Sequence, residues 1–189
     1  MKNAKLRLLP LWGAALLMSG CAQFQAGPYG ADYTALDSMR SAKPGTAAVA
    51  TVQPADPAHP VNRLSLRGAA LLSPSGTFAK YLENALIADL KEAQVYDSGA
   101  RTLLNVQILK NEIDISGFAV GTGTMEIQLR VTRDGQSRLD KRYKANTSFG
   151  SHFMGNIAIP AGQTAYAGVV RELLRNVYSD PQFIAAIGR

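Results

Sequence analysis

The sequence predicts an α+β fold, an antiparallel sheet with two helices packed on one of its faces. Some segments alternate apolar and polar residues with the period of two that half-buried strands have, and two longer segments repeat with a helical period. Their order is strand, helix, strands, helix, which is typical of helices gathered on one face of an antiparallel sheet. All of them lie in residues 61–189, which we expect to form one domain.

The first predicted elements are a short strand and a long helix. Leu64 and Leu66 alternate with polar residues, as in a strand. Residues 73–77 then supply hydroxyl side chains and a proline, both typical of a helix start. The helix that follows has an apolar stripe of Phe78, Leu82, Ala85, Leu86, Leu90 and Ala93.

The next predicted strand changes the face to which its apolar residues point. Leu104, Val106 and Ile108 occupy even positions, whereas Ile113 and Ile115 occupy odd ones. A regular strand cannot make this change, so we expect a bend or bulge around residues 109–111. A loop with three glycines is expected over residues 116–124.

A hairpin follows, with its turn at Asp134 and Gly135. A two-residue turn would set Leu129 opposite Asp140, so we expect a three-residue turn that includes Arg133 and brings the apolar residues of both strands to the same face. That register places Leu129 opposite Leu139. It also places Arg130 opposite Arg138 and Met125 opposite Tyr143.

The last predicted elements are a long helix and a short terminal turn. The helix is expected to begin near Pro160, after a loop over residues 150–159. Its apolar stripe is Tyr166, Val169, Val170, Leu173, Leu174 and Val177. Asp180 and Pro181 cap a terminal turn, whose Phe183 and Ile187 are expected to pack against the domain.

Residues 22–60 have a different composition. Ala, Gly, Pro, Ser, Thr and Gln dominate, and no apolar period persists for two helical turns. Such a segment buries too little surface to offset the entropy of ordering it, so we expect a disordered tether over residues 21–60. One exception is residues 29–39, where Tyr33, Leu36 and Met39 have the spacing of a short amphipathic turn.

The N-terminus has the three parts of an export signal. Lys2, Lys5 and Arg7 are basic, residues 8–18 are mostly apolar, and Ser19 and Gly20 are small. Residues 17–21, Leu-Met-Ser-Gly-Cys, resemble the lipobox of bacterial lipoproteins. The resemblance implies that the signal peptide, residues 1–20, is removed and that Cys21 carries a diacylglyceryl group and a further fatty acid such as palmitate.

This lipidation would anchor the protein to a membrane, because several acyl chains bind a bilayer durably. In the lipoproteins that the signal resembles, an Asp after the cysteine favours the inner membrane. Residue 22 is Ala. The resemblance therefore implies an outer-membrane protein on the periplasmic face.

Composition limits the remaining function classes. Removal of the three basic residues of the signal lowers the formal charge from +6 to +3, and no dense basic tract occurs, so we expect no nucleic-acid partner. Cys21 is the single cysteine, so no intramolecular disulfide can form.

No motif for catalysis, a metal or another cofactor occurs, and we expect a protein that is not an enzyme. The sequence has two histidines, His59 in the expected tether and His152 in a loop. Glu112 and Asp114 share a strand face, where they are interpreted as a solvated edge rather than a catalytic pair.

Two sets of residues are candidates for binding. The basic set on the polar face of the hairpin consists of Arg130, Arg138, Arg142 and Lys144. The apolar set in loops consists of Phe118 and Phe153, with Met154 and Phe149 beside them.

The whole layout resembles that of several periplasmic lipoproteins. They include the lipopolysaccharide-assembly lipoprotein, auxiliary lipoproteins of lipid ABC transporters and lipoprotein activators of peptidoglycan synthases. The resemblance implies a non-enzymatic interaction module that docks on an envelope protein complex. The alternative is a binder of an anionic lipid or glycan on the basic hairpin face, whose affinity would fall with salt.

Overall fold

The computed structural model describes residues 23–188 and confirms the α+β class. In chain order the elements are β1 (Gln23–Gln25), α1 (Tyr33–Ser41), β2 (Ala48–Val49), a 3₁₀ turn (Pro60–Asn62), β3 (Leu64–Leu66), β4 (Ala69–Leu72), α2 (Phe78–Glu92), β5 (Thr102–Asp114), β6 (Val120–Arg133), β7 (Gln136–Gly150), α3 (Gly155–Tyr178) and α4 (Pro181–Ala186). Cys21 and the signal lie outside the described residues.

Two mixed sheets organise these elements. The larger sheet has the strand order β2-β5-β6-β7, and the smaller has the order β1-β4-β3. β1 pairs in parallel with β4, and β2 in parallel with β5, while the other pairs are antiparallel. The inner face of the larger sheet and the helices enclose one continuous apolar core.

Residues 23–60 differ from the expected disordered tether, because they belong to the folded body. Leu36 and Met39 on α1 are completely buried, and Val52 is 1 % exposed. The backbone is also held: Gly45 N donates to Ile187 O at 2.8 Å, and Val52 N donates to the Glu83 carboxylate at 3.0 Å. Composition misleads here because a few widely spaced apolar residues suffice when the neighbouring elements already form the core.

The helices follow their predicted stripes. α2 begins after Thr77, whose hydroxyl accepts from Lys80 N at 3.0 Å, and its predicted stripe is buried. α4 is capped by Asp180, and Phe183 and Ile187 are fully buried, as predicted. α3 begins at Gly155, five residues before the predicted start, so Pro160 lies inside the helix.

The predicted irregularity near residue 109 is confirmed as a β-bulge. β5 is continuous, but its register with β6 shifts between Ile108 and Lys110. Leu109 is the extra residue and is partly exposed. The bulge lets Ile108 and Ile113 both face the core despite their opposite parity.

The predicted three-residue turn of the β6–β7 hairpin is wrong. Asp134 and Gly135 alone form the turn, with φ of +51° and +78°, the left-handed pair of a type I′ turn. A bulge at Arg138 then changes the register, so Val131 faces Leu139. The prediction assumed one constant register, whereas an extra residue beside the turn solves the same parity problem.

This register replaces the predicted cross-strand pairs. Leu129 faces Lys141 rather than Leu139, and Met125 faces Ala145 rather than Tyr143. Arg130 faces Asp140, so the predicted contact between Arg130 and Arg138 does not form.

The glycine-rich segment is also more ordered than the expected loop, because β6 begins at Val120. A Cβ atom on Gly123 would lie 2.2 Å from Cγ2 of Val169 on α3 and 3.0 Å from Oγ1 of Thr147. Gly123 therefore permits α3 to pack closely against the sheet.

Candidate functional site

The outer face of the larger sheet points away from the core and consists of polar side chains. They are exposed or half-buried, and they include Asn105, Gln107, Glu126, Gln128, Arg130, Asp140, Arg142 and Lys144. A shallow cavity of about 210 Å³ lies on this face, with Gln53, Gln107 and Arg130 among its lining residues.

Ion pairs neutralise half of the predicted basic set. The Arg130 guanidinium donates to the Asp140 carboxylate at 2.7 and 2.9 Å, and Arg142 Nη1 lies 3.1 Å from Glu126 Oε1. Hydrogen bonds from Gln128 and Arg130 lower the pKa of Asp140. Among the described residues, Arg138 and Lys144 take part in no ion pair. The outer face is thus a mixed-charge surface rather than a basic stripe.

The predicted apolar residues come together at one end of the sheet. Phe118, between β5 and β6, and Phe153, between β7 and α3, have ring centroids 6.0 Å apart. Their side chains are 83 % and 57 % exposed. Ser151 N donates to Ala119 O at 2.9 Å, which joins the two loops through their backbones. Phe149, by contrast, is half-buried against the core, so it is not part of this surface.

Three further apolar residues extend this surface, which we call the apolar tip. The apolar tip consists of Phe118, Val120, Phe153, Met154 and Ile157. Val120, Met154 and Ile157 are 56 %, 41 % and 45 % exposed. Scattered single apolar residues are ordinary on a protein surface, but a cluster of five indicates an interaction site.

Arg67 ties the apolar tip to the smaller sheet. It occupies the turn between β3 and β4, and its guanidinium donates to the backbone oxygens of Ile115, His152 and Phe153. The bond to His152 O measures 2.9 Å and the shorter of two to Ile115 O measures 3.1 Å. Both loops of the tip are therefore held in place by one side chain, which the sequence analysis did not identify as a functional residue.

Both histidines serve the local backbone. His59 Nδ1 accepts from Val61 N at 3.4 Å, and His152 Nδ1 accepts from Met154 N at 3.1 Å. Glu112 pairs with Lys110 at 2.9 Å, and Asp114 accepts from Ser116 N at 2.8 Å. Within residues 23–188, no three potential metal-ligating side chains form a cluster.

A buried polar cluster was missed by the sequence analysis. Asp89 on α2 is fully buried, and its carboxylate accepts from the Tyr29 hydroxyl at 2.7 Å. Burial raises the pKa of Asp89 to about 6, although the hydrogen bond from Tyr29 acts in the opposite direction. Burial, and next the Asp89 carboxylate, raise the pKa of Tyr178. Tyr29 lies in the segment expected to be a tether, so its contact with α2 was not predictable.

None of the described helices has the length and apolarity needed to cross a membrane.

No protein-family model and no curated protein matches the sequence. Solved structures do match. A Xanthomonas campestris protein described as family DUF330 has a TM-score of 0.50 at 12 % identity, covering 83 % of this chain and 91 % of that one. A putative lipoprotein from Caulobacter crescentus has a TM-score of 0.43 at 12 % identity, covering 77 % and 91 %. The Xanthomonas match shows a shared fold, and fold alone does not determine function.

Proposed function

We propose that this chain is a lipid-anchored lipoprotein of the bacterial outer membrane that acts as a non-enzymatic interaction module. Its acceptor for lipid is Cys21, and its folded body faces the periplasm and docks on an envelope protein complex. The signal sequence and the lipobox-like residues 17–21 support the anchor.

One observation carries the proposal: the folded body includes residues that follow the acceptor cysteine almost immediately. β1 begins at Gln23, two residues after Cys21, and pairs with β4. Two residues span at most ~7 Å. The folded body is therefore held close to the bilayer that the lipid enters, where it can meet a partner of the same envelope.

The outer face is the surface that we assign to the protein partner. Its mixed charges and amides suit the polar contacts of a non-obligate interface. β7 is an edge strand of 15 residues beside this face. An extended segment of a partner could therefore pair with backbone N–H and C=O groups of β7. The ion pairs of Arg130 and Arg142 disfavour the alternative, an anionic ligand on the basic set.

Two measurements test this proposal. Metabolic labelling with a fatty acid should mark the wild-type protein, and Cys21→Ser should abolish the label and lower the fraction of the protein that stays with membranes. A photo-crosslinking residue at Gln107, which is exposed on the outer face, should give a protein adduct in intact envelopes. The control site is Ala88, which is exposed on α2. Equal adducts at both sites, or none at Gln107, would contradict docking through the outer face.

A further inference from the structure

We infer that the apolar tip inserts into the headgroup region of the bilayer that holds the lipid anchor. This inference rests on the proposed function, because it takes Cys21 as the anchored residue. The insertion would give the body a second membrane contact and a set orientation, which an acyl anchor alone does not provide.

The first step is the position of the chain entry. β1 and β4 are parallel, with Gln23 opposite Ala70, so the N-terminal ends of both strands lie side by side. The N-terminal end of β4 follows directly from the turn that carries Arg67. Arg67 donates to the backbone oxygens of His152 and Phe153 in the apolar tip. The tip and the point where the chain leaves for Cys21 therefore lie at the same end of the molecule.

The second step is the low density of charged residues around the tip. Residues 115–125 and 145–170, which contain all five tip residues, include no Asp, Glu, Lys or Arg. Residues 22–31 and 68–79, which flank the chain entry and the turn, include none either. The ionised groups beside the tip are Arg67 and Asp114, the exposed last residue of β5. Arg67 is already bonded to three backbone oxygens, and Asp114 accepts from Ser116 N, so entry of this end into a region of low dielectric constant desolvates few ionised groups.

The third step is the contrast with the opposite end of the sheet. β6 begins at the tip residue Val120 and ends at Arg133, about 45 Å away at the usual rise of a strand. There Arg101 and Asp134 form an exposed ion pair. Apolar side chains at one end and charged groups at the other match the polarity gradient from a bilayer to water. Insertion into the bilayer also explains why the apolar tip lies at the same end of the molecule as the lipid anchor.

A tryptophan probe tests the insertion in the lipidated protein. The sequence has one tryptophan, Trp12, which precedes Cys21, so the mature chain has none. Phe118→Trp places a single probe in the tip, and Tyr33→Trp is the matched control. Tyr33 is 64 % exposed. The residue before it, Asp32, pairs with Arg175, which lies about 30 Å along α3 from the tip at a rise of 1.5 Å per residue.

In phosphatidylcholine vesicles, we expect the probe at residue 118 to shift its emission to the blue and to be quenched by lipids brominated in the acyl chain. The probe at residue 33 should do neither. The response should persist when salt is raised from about 0.1 M to about 0.5 M, because the contact is apolar. An unquenched probe at residue 118 in the anchored protein overturns the inference.

A second arm separates this inference from the anchor itself. The mature-length chain with Cys21→Ser should still float with the same vesicles, and adding Phe118→Ser with Phe153→Ser should lower the bound fraction at least about tenfold, since binding scales with the apolar area buried. Unchanged flotation contradicts insertion, as does a dimer that these variants convert to a monomer without any vesicle binding. Failure of fatty-acid labelling at Cys21 would instead overturn the proposed function.

Discussion

The buried carboxyl group of Asp89 predicts an unusual dependence of stability on pH. Its pKa is about 6 in the folded protein, against 3.8 for an exposed aspartate. The folded state therefore holds the proton more tightly than the unfolded state, so this group's contribution to stability is full below about pH 3.8 and falls as pH rises through 6. A shift of about two pH units corresponds to ~3 kcal/mol of unfolding free energy.

The perturbation is Asp89→Asn, which keeps an acceptor for the Tyr29 hydroxyl and cannot ionise. The groups around the carboxyl reinforce the effect, because the Asp32 and Glu92 carboxylates also raise its pKa. We expect the unfolding free energy of the variant, relative to wild type, to increase by about 2–2.5 kcal/mol between pH 4 and pH 7, because part of the full change lies below pH 4.

The assay is urea unfolding at intervals of pH on mature-length chains that carry Cys21→Ser. Asp37→Asn is the control, because Asp37 lies on the exposed side of α1 and pairs with Arg40 at the surface. Its difference from wild type should change little over this range. Parallel stability curves for wild type and Asp89→Asn would refute the reasoning, as would a variant that gains stability relative to wild type on acidification.

Three further predictions concern packing and register. Leu36→Ala should lower the free energy of unfolding by about 2–5 kcal/mol, whereas Tyr33→Ala on the exposed side of the same helix should lower it by less than about 0.5 kcal/mol. Equal urea midpoints would contradict the packing of residues 23–60 on the core. Gly123→Ala should destabilise by about 1–3 kcal/mol because its Cβ meets Val169, and Val169→Ala should recover most of the loss in a double-mutant cycle; two additive losses would exclude this contact as the cause. Arg138→Glu should change the denaturation midpoint by no more than about 0.5 kcal/mol, because the bulge removes Arg138 from any facing arginine; a gain above about 1 kcal/mol would contradict the bulged register.

Local pattern determined most of the secondary structure of residues 61–188, although it missed β4, the first residues of β6 and the first turn of α3. The stripe of α2, the cap at Asp180 and the parity change in β5 depend on residues close in the chain. The two candidate apolar residues, Phe118 and Phe153, were also recognisable, because large apolar side chains stood out among loop residues.

Only the tertiary structure decided how these pieces combine. The spacing of Leu36 and Met39 indicated only a short amphipathic turn in an otherwise disordered segment, yet both are buried because distant elements supply the rest of their contacts. Phe118 and Phe153 lie far apart in the sequence, and the guanidinium of Arg67 helps to hold their loops together. The bulge at Arg138 leaves the local pattern unchanged while it shifts every later pair of the hairpin, so that Arg130 meets Asp140. Each of these outcomes depends on contacts between residues distant in the chain, which periodicity does not record.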